Sequence, residues 1–519
     1  MFEEQSSPKS QSFFSSLPFL VIVSVLLPPV GLFLLWMRQD AKTNLKLLCS
    51  ALILAIGAGY FALAYYIYNN KFGENAHYTA LEQHREQQRQ QYGNQPVPQD
   101  PNQPGQPALP DPNPQGQTTQ QTGSGQTPNP STAGTRNYWT DFRGPSRDGN
   151  YQETAIKTDW NNLQPVWKQP VGGGWASFVI GEGLAYTIEQ RRSQEVVAAY
   201  DVQTGRELWT NSWNAEFRES MGGDGPRATP TYHEGKIYAL GATGELRVID
   251  AKTGKALWGK NILSEAGASN LQWGMSAAPL IVDDKVIVQP GGRNNNSIVA
   301  YNKNTGATVW KSLSDEASYT SPMLVTLAGR RQILTVTASR AVGLAPENGA
   351  LLWEYPWSNS YSINVSQPIP VDAARVFISA GYGKGAALFE VSGSGGKFST
   401  KTIWENNQMK NKFQSSVLLN GYVYGLDEGI LTCLDVNTGE RKWKGGRYGY
   451  GQLILASGHL IVITEEGNLV LVKASPDKHT EVTQIPALQG RSWNVPAMAN
   501  GKLFIRNGTE MACYNISTQ

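Results

Sequence analysis

Cysteine is scarce, with three residues in 519. That is too few for a disulfide framework, and one of them, Cys49, lies inside an apolar run. No two cysteines are adjacent and there is no Cys-x-x-Cys-His run, so no covalently attached haem is expected. Histidine is equally sparse. His77, His84, His233, His459 and His479 show no metal-ligand spacing, so no metal site is expected. A charge excess of either sign is also missing. The 44 basic and 42 acidic residues leave a formal net charge of +2, with no basic tract. That argues against nucleic acid or another polyanion as partner. The triplet Gly172-Gly173-Gly174 is not followed by Lys-Ser/Thr and is no phosphate loop. No catalytic residues emerge from any of these patterns.

What the chain does have is glycine (53) and tryptophan (15), a mixture suited to many short strands joined by tight turns. It opens with two apolar runs, Phe13 to Met37 and about Leu47 to Tyr68. Each is long enough to cross a bilayer core, which takes about 20 residues. The expectation is a two-helix membrane anchor over residues 1–70. Pro28 and Pro29 should kink or break the first helix, with a re-entrant hairpin as the alternative. The connecting loop carries Arg38, Lys42 and Lys46 against Asp40, so it should be cytoplasmic, with the N-terminus and the rest of the chain outside. No lipid-attachment cysteine is visible, so the helices themselves are expected to hold the protein at the cytoplasmic (inner) membrane, its main body on the periplasmic side.

Residues 71–136 read as a linker. Its first part, to about Gln91, is polar and fits a short exposed helix. From Tyr92 to Arg136 it is Pro, Gln, Gly, Thr and Asn, with too little apolar surface to fold, so a disordered tether is expected. Such a chain spans about 35–40 Å on average.

From residue 137 onward the sequence repeats itself. A strand is followed by Asp-x-x-Thr-Gly and then by a tryptophan four residues later. The pattern occurs at Asp201, Gly205 and Trp209, at Asp250, Gly254 and Trp258, at Asn302, Gly306 and Trp310, and at Asp435, Gly439 and Trp443. A degenerate copy ends at Trp353, a looser one at Trp404, a seventh unit lacks the tryptophan, and an eighth ends at Cys513-Tyr514-Asn515. Successive tryptophans from Trp209 to Trp353 lie 49, 52 and 43 residues apart, the size of a propeller blade. The aspartate suits an Asx-turn. The glycine suits positive φ. The tryptophan can pack over the neighbouring unit. Eight hairpin turns form a second series, at Gly181-Glu182-Gly183, Glu234-Gly235, Asp283-Asp284, Gly329-Arg330, Asp372-Ala373, Asn420-Gly421, Ser457-Gly458 and Asn500-Gly501. An open solenoid is the competing architecture. The unpaired strand Pro165-Val166-Trp167-Lys168 before the first unit can instead complete the last one and close a ring. The expected fold class is therefore all-β, an eight-bladed β-propeller of four-stranded antiparallel blades over residues 137–519, after two transmembrane helices and a linker.

The Asp-x-x-Thr-Gly-x-x-x-Trp unit resembles the pyrroloquinoline-quinone (PQQ) type propeller repeat, the family of quinoprotein alcohol dehydrogenases and of the outer-membrane assembly factor BamB. The run Trp139-Thr140-Asp141-Phe142-Arg143-Gly144-Pro145-Ser146-Arg147-Asp148-Gly149 resembles one that opens many bacterial propellers of this kind. The resemblance implies two functions. One is a binding or scaffolding role in the cell envelope. The other is a dehydrogenase that holds PQQ, with calcium bound by a Glu, Asn and Asp set, and passes electrons to a membrane quinone. The dehydrogenases clamp PQQ under a pair of adjacent cysteines, absent here, although membrane glucose dehydrogenases of the family lack that pair and do carry N-terminal helices.

Cys433 and Cys513 fall two residues before the Asp/Asn position of their units, where Ala199 and Ala300 stand elsewhere, so they read as packing residues. The starts of the innermost strands are richer. They combine small residues, suited to a crowded channel wall, with Trp175, Arg227, Trp273, Tyr319, Asn364, Gln414, Tyr450, Arg491 and Trp493, which should converge at one mouth of the channel. That mouth is either a solvated polar rim or a binding funnel. The expected function is a non-catalytic binding or scaffold propeller for envelope proteins or a small ligand, without cofactor. A PQQ- and calcium-dependent dehydrogenase is the alternative.

Overall fold

In the computed structural model, residues 17–38, 42–93 and 139–518 are described. The tether from 94 to 136 lies outside them, as do Phe13 and Asp40.

The first apolar run does not form one spanning helix. It makes two ten-residue helices, α1 (Leu17–Leu26) and α2 (Pro28–Met37). Leu27 between them is non-helical at φ −137° and ψ 74°, and Pro28-Pro29 opens α2 at the first-turn positions that proline tolerates. The two helices fold sharply on each other, since a Cβ on Gly31 would overlap Ser24. Each is about 15 Å long, half of a hydrocarbon core. The next helix, α3 (Thr43–Tyr92), runs for 50 residues. Its first part, Thr43–Leu63, is the one helix among the described residues long and apolar enough to cross a membrane. Leu35 of α2 packs on its Ile53, and the Trp36 indole donates to its Ser50 Oγ at 3.0 Å. One candidate span thus replaces the expected two.

The rest of the molecule is a ring of eight four-stranded antiparallel sheets. Blade 1 holds Val179–Gly181, Leu184–Arg191, Gln194–Asp201 and Glu207–Asn214. Blade 2 spans Thr231–Asn261, blade 3 Leu280–Ser312 and blade 4 Met323–Pro356. Blade 5 spans Ile369–Asn406, blade 6 Val417–Arg447 and blade 7 Gln452–Pro486. Blade 8 joins Ala497–Ala499, Lys502–Arg506 and Glu510–Asn515 to an outer strand from the other end of the domain, Pro165–Pro170. In that closure Trp167 lies opposite Cys513, so the ring closes through the strand the sequence had left unpaired and exposes no open edge in the last blade.

The repeat motif works at the blade seams. Asp201 Oδ1 accepts from the backbone of Gln203 and Thr204, and Asp435 Oδ1 from Asn437 and Thr438. The turn glycine then takes positive φ, 71° at Gly205 and 73° at Gly254. Against that glycine lies the tryptophan of the preceding blade, Trp167 on Gly205, Trp209 on Gly254, Trp258 on Gly306, Trp310 on Gly349 and Trp404 on Gly439. A side chain on the glycine would collide with the indole. The indole N–H closes the latch by donating to a carbonyl of the same turn, Trp167 to Val202 at 3.2 Å, Trp209 to Ala251 at 3.0 Å, Trp258 to Lys303 at 3.1 Å and Trp443 to Ser475 at 2.8 Å. Trp353 departs from the pattern. Blade 5 has a hairpin of two ten-residue strands in place of the Asp-x-x-Thr-Gly turn, so the Trp353 indole bonds Gln332 within its own blade and meets Phe389 edge-on at 5.7 Å.

At the axis the small polar residues do more than relieve crowding. The Thr229 hydroxyl accepts from Ser177 N, Ser321 Oγ from Ala278 N, and Ser415 Oγ from Gln367 N, each at 2.9–3.0 Å. One blade's inner-strand backbone is thereby tied to the next blade's side chain. Positive φ at Ala328 and Gly329 puts the blade 4 hairpin turn one residue earlier than Gly329-Arg330. Cys433 and Cys513 are buried free thiols, each pushed up to about 12 by burial.

Candidate functional site: a closed aromatic funnel

The loops that enter the inner strands converge on one face, around a cavity of about 540 Å³. Six of the nine expected residues line it, namely Trp175, Arg227, Trp273, Tyr319, Tyr450 and Trp493. Trp175 and Trp493 sit side by side, ring centroids 5.0 Å apart, although they come from opposite ends of the ring closure. Phe413 continues this wall, 5.0 Å from both Trp493 and Tyr450. Trp273 and Tyr319 form a second aromatic pair at 5.9 Å.

The other three expected residues are placed differently. Asn364 is 2% exposed, and its amide donates to Thr337, Ala338 and Trp357 carbonyls, so it ties a seam and is no part of the lining. Gln414 is fully buried, and its Oε1 accepts from Lys412 N and Phe413 N, both at 3.1 Å. It positions the two neighbours that do reach the cavity. Arg491 lies at the rim, stacked on Trp493 at 4.7 Å and donating to the Met221 carbonyl. Polar residues at the right register were thus turned inward by backbone partners that the sequence does not display.

Several lining residues came from elsewhere. Lys412 and Phe413 precede the expected position by one or two residues. Tyr382 and Glu465 sit on the loops after the second strands of blades 5 and 7, and Met221 on the long loop entering blade 2. The two loop series share a face because antiparallel strands return to it every second turn, a signal that was available. Seven blades contribute an aromatic ring, and blade 2 contributes Arg227 instead.

The floor is the least expected feature. The opening run Trp139–Gly149 enters the channel from the opposite face and plugs it. Arg147 is 2% exposed and donates to the carbonyls of Ala278, Pro279 and Pro322, to Thr231 Oγ1 and to Asp141. It therefore joins the inner strands of blades 2, 3 and 4. Arg143 is 1% exposed and donates to the carbonyls of Ser416 and Leu453, in blades 6 and 7. Burial lowers its pKa to about 10, so it remains charged at neutral pH. Gly149 at φ 75° packs on the Arg143 guanidinium where no side chain would fit. Asn150–Tyr151 then adds a short parallel strand to blade 7. Phe142 of the same run lines the cavity, so the plug forms the funnel's floor.

Three charged groups line the walls. Glu465 is committed, with Oε1 accepting from the Trp493 indole and Oε2 from Tyr450 N, both at 3.0 Å. Arg227 stacks on Phe217 at 4.5 Å and donates to the carbonyls of Gly223 and Gly225. Burial lowers its pKa to about 10. The Lys412 ammonium lies over Tyr450 at 4.8 Å and over Tyr382 and Phe413 at 5.4 Å.

Against known proteins, the family model described as outer membrane protein assembly factor BamB matches residues 192–445, from the third strand of blade 1 into the last strand of blade 6. BamB of Yersinia pestis is 22% identical over 322 residues, 57% of this chain and 75% of that protein. A 1-butanol dehydrogenase (cytochrome c) of Thauera butanivorans is 33% identical over 121 residues, 22% of this chain but only 16% of that enzyme. The solved structure of quinohemoprotein alcohol dehydrogenase ADHIIG from Pseudomonas putida superposes with TM-score 0.52 at 13% identity, over 74% of this chain and 81% of its own. The matched repeats and the shared fold make the chain similar to PQQ-like repeat propellers. Two features that the dehydrogenase resemblance implies are missing among the described residues. Its funnel offers a single carboxylate, already bonded on both oxygens, and no group of three His, Cys, Asp or Glu residues that could hold a metal occurs among the described residues. Its propeller cysteines lie buried in blades 6 and 8 and cannot cover a quinone. These residues do not fit a calcium-held PQQ.

Proposed function

We propose that this chain is a non-catalytic binding propeller of the cell envelope, which captures envelope proteins or a small ligand in its aromatic funnel. Thr43–Leu63 would cross the cytoplasmic membrane, with α1 and α2 entering as a re-entrant pair and the basic stretch Arg38 to Lys46 on the cytoplasmic side. The propeller would then stand on the periplasmic side. The observation that carries the reading is the closed floor. A channel merely lined by solvent needs no stopper, whereas Phe142 under a wall of rings from seven blades makes a preformed apolar pocket with a few fixed polar groups, the usual make-up of a ligand site. The likeness to BamB supports an envelope partner.

The second reading, a PQQ-dependent dehydrogenase, is favoured by the likeness to the butanol dehydrogenase over 121 residues. One pair of measurements separates them. Trp493→Ala should weaken capture of partners from solubilised membranes by about 1–4 kcal/mol, the span for a buried aromatic anchor, without unfolding the ring. Added PQQ and calcium should give no dye-linked oxidation of alcohols or aldoses. Unchanged capture by a folded Trp493→Ala protein would remove the funnel as binding site. Turnover with bound PQQ would establish the second reading.

A further inference from the structure

Arg227 enters from the loop before blade 2, and Lys412 from the loop before blade 6. In an eight-bladed ring these blades face each other across the axis. Neither cation forms an ion pair with any described residue. Arg227 is held by two backbone carbonyls and the face of Phe217. Lys412 is held by three ring faces, which attract its charge but leave its N–H groups without a strong acceptor. The one acid in the lining, Glu465, points both oxygens at wall donors. The funnel therefore presents two separated positive groups with aromatic surface between them, and Phe142 blocks passage beyond.

We propose that the funnel recognises an extended acidic peptide segment, with two carboxylates about four residues apart flanking aromatic or proline residues. This rests on the reading of the funnel as a binding site. One carboxylate would meet Lys412 and the other Arg227, each a charge-assisted contact in surroundings of reduced dielectric. The residues between would lie on the aromatic wall formed by Trp175, Trp493 and Phe413. An extended segment of four residues covers about 12 Å, and since the floor is closed it must lie across the mouth and leave on the same face.

The test uses the full-length protein in detergent and isothermal titration with two synthetic peptides, acetyl-Glu-Pro-Phe-Pro-Glu-amide and its neutral counterpart with both glutamates replaced by glutamine. Terephthalate serves as a small aromatic dicarboxylate. The acidic peptide should bind about tenfold or more tightly than the neutral one, the equivalent of one good charge-assisted contact. That advantage should shrink in Lys412→Gln and as salt is raised. Lys412→Gln should stay folded with at most a small fall in melting temperature, because the ammonium loses only its contacts with ring faces. Equal binding of the two peptides, or an unaltered preference in Lys412→Gln, would overturn recognition of acid while leaving the funnel a binding site. Binding of terephthalate with no binding of the acidic peptide would transfer the site to small molecules and overturn the peptide assignment. Binding of none of the three overturns it as well, and the Trp493→Ala capture measurement then separately decides whether the funnel binds anything.

Discussion

At the scale of single residues, tryptophan has two separate roles in this chain. Trp493 and Trp175 face the cavity, whereas Trp258 latches blade 2 to the turn of blade 3. Trp258→Ala should therefore lower stability by about 2–4 kcal/mol, near the lower part of the range for removing a large aromatic because the ring is half-buried. Calorimetry should show a fall in melting temperature, and any loss of binding should follow it. A melting temperature equal to the parent's would mean that the latch contributes nothing. The latch residues were legible because the motif places them, and the copies that keep the aspartate or asparagine, the glycine and the indole build the same turn. The funnel was legible at one position per blade and no further. Asn364 and Gln414 carry the right polarity at the right register, yet backbone groups turn them into the wall. Tyr382 and Glu465 could have been found by counting the second loop series, which shares the face but repeats no residue type, and Lys412 by reading two residues upstream of Gln414.

The elements show where local sequence governs and where it does not. The break at Leu27 follows from the proline pair, and its consequence is that the first run falls short of a membrane span. The end of α3 is the opposite case. Its polar composition predicts an exposed helix, but Leu81 and Arg85 are 1% and 4% exposed. Arg85 pairs with Glu207 at 3.3 Å and stacks on Tyr200, Gln88 bonds Gln169 at 2.8 Å, and Glu82 bonds Arg192 at 2.8 Å. These last turns of α3 clasp the seam where blade 8 meets blade 1, on partners at least 80 residues away in sequence, and no local pattern encodes that. Arg85→Ala should release the clasp. Hydrogen exchange over residues 81–92 should rise by about tenfold or more, the effect of losing at least one buried charge-assisted contact, while blades 3 to 6 keep their protection. If 81–92 exchanges no faster, the helix is held by packing alone.

For the whole molecule, closure and plugging are complementary. The strand at Pro165–Pro170 closes the ring at its rim, and the run Trp139–Gly149 ties it at the axis through two buried arginines that reach five blades. Ring closure was legible because the last unit lacks the one strand that the start of the domain leaves over. The plug was not, because all but two of the arginines' acceptors are backbone carbonyls and such partners leave no trace in composition. The central claim is that recognition happens in the funnel that this plug closes. The most direct measurement is site-specific photocrosslinking in intact cells, with benzoylphenylalanine at Tyr319 in the funnel and, separately, at Val309, exposed on the outer strand of blade 3. The account predicts a discrete crosslinked partner from position 319 that disappears when Trp493→Ala is added, and none from position 309. Adducts from 309 with none from 319 would contradict it and move recognition to the blade edges.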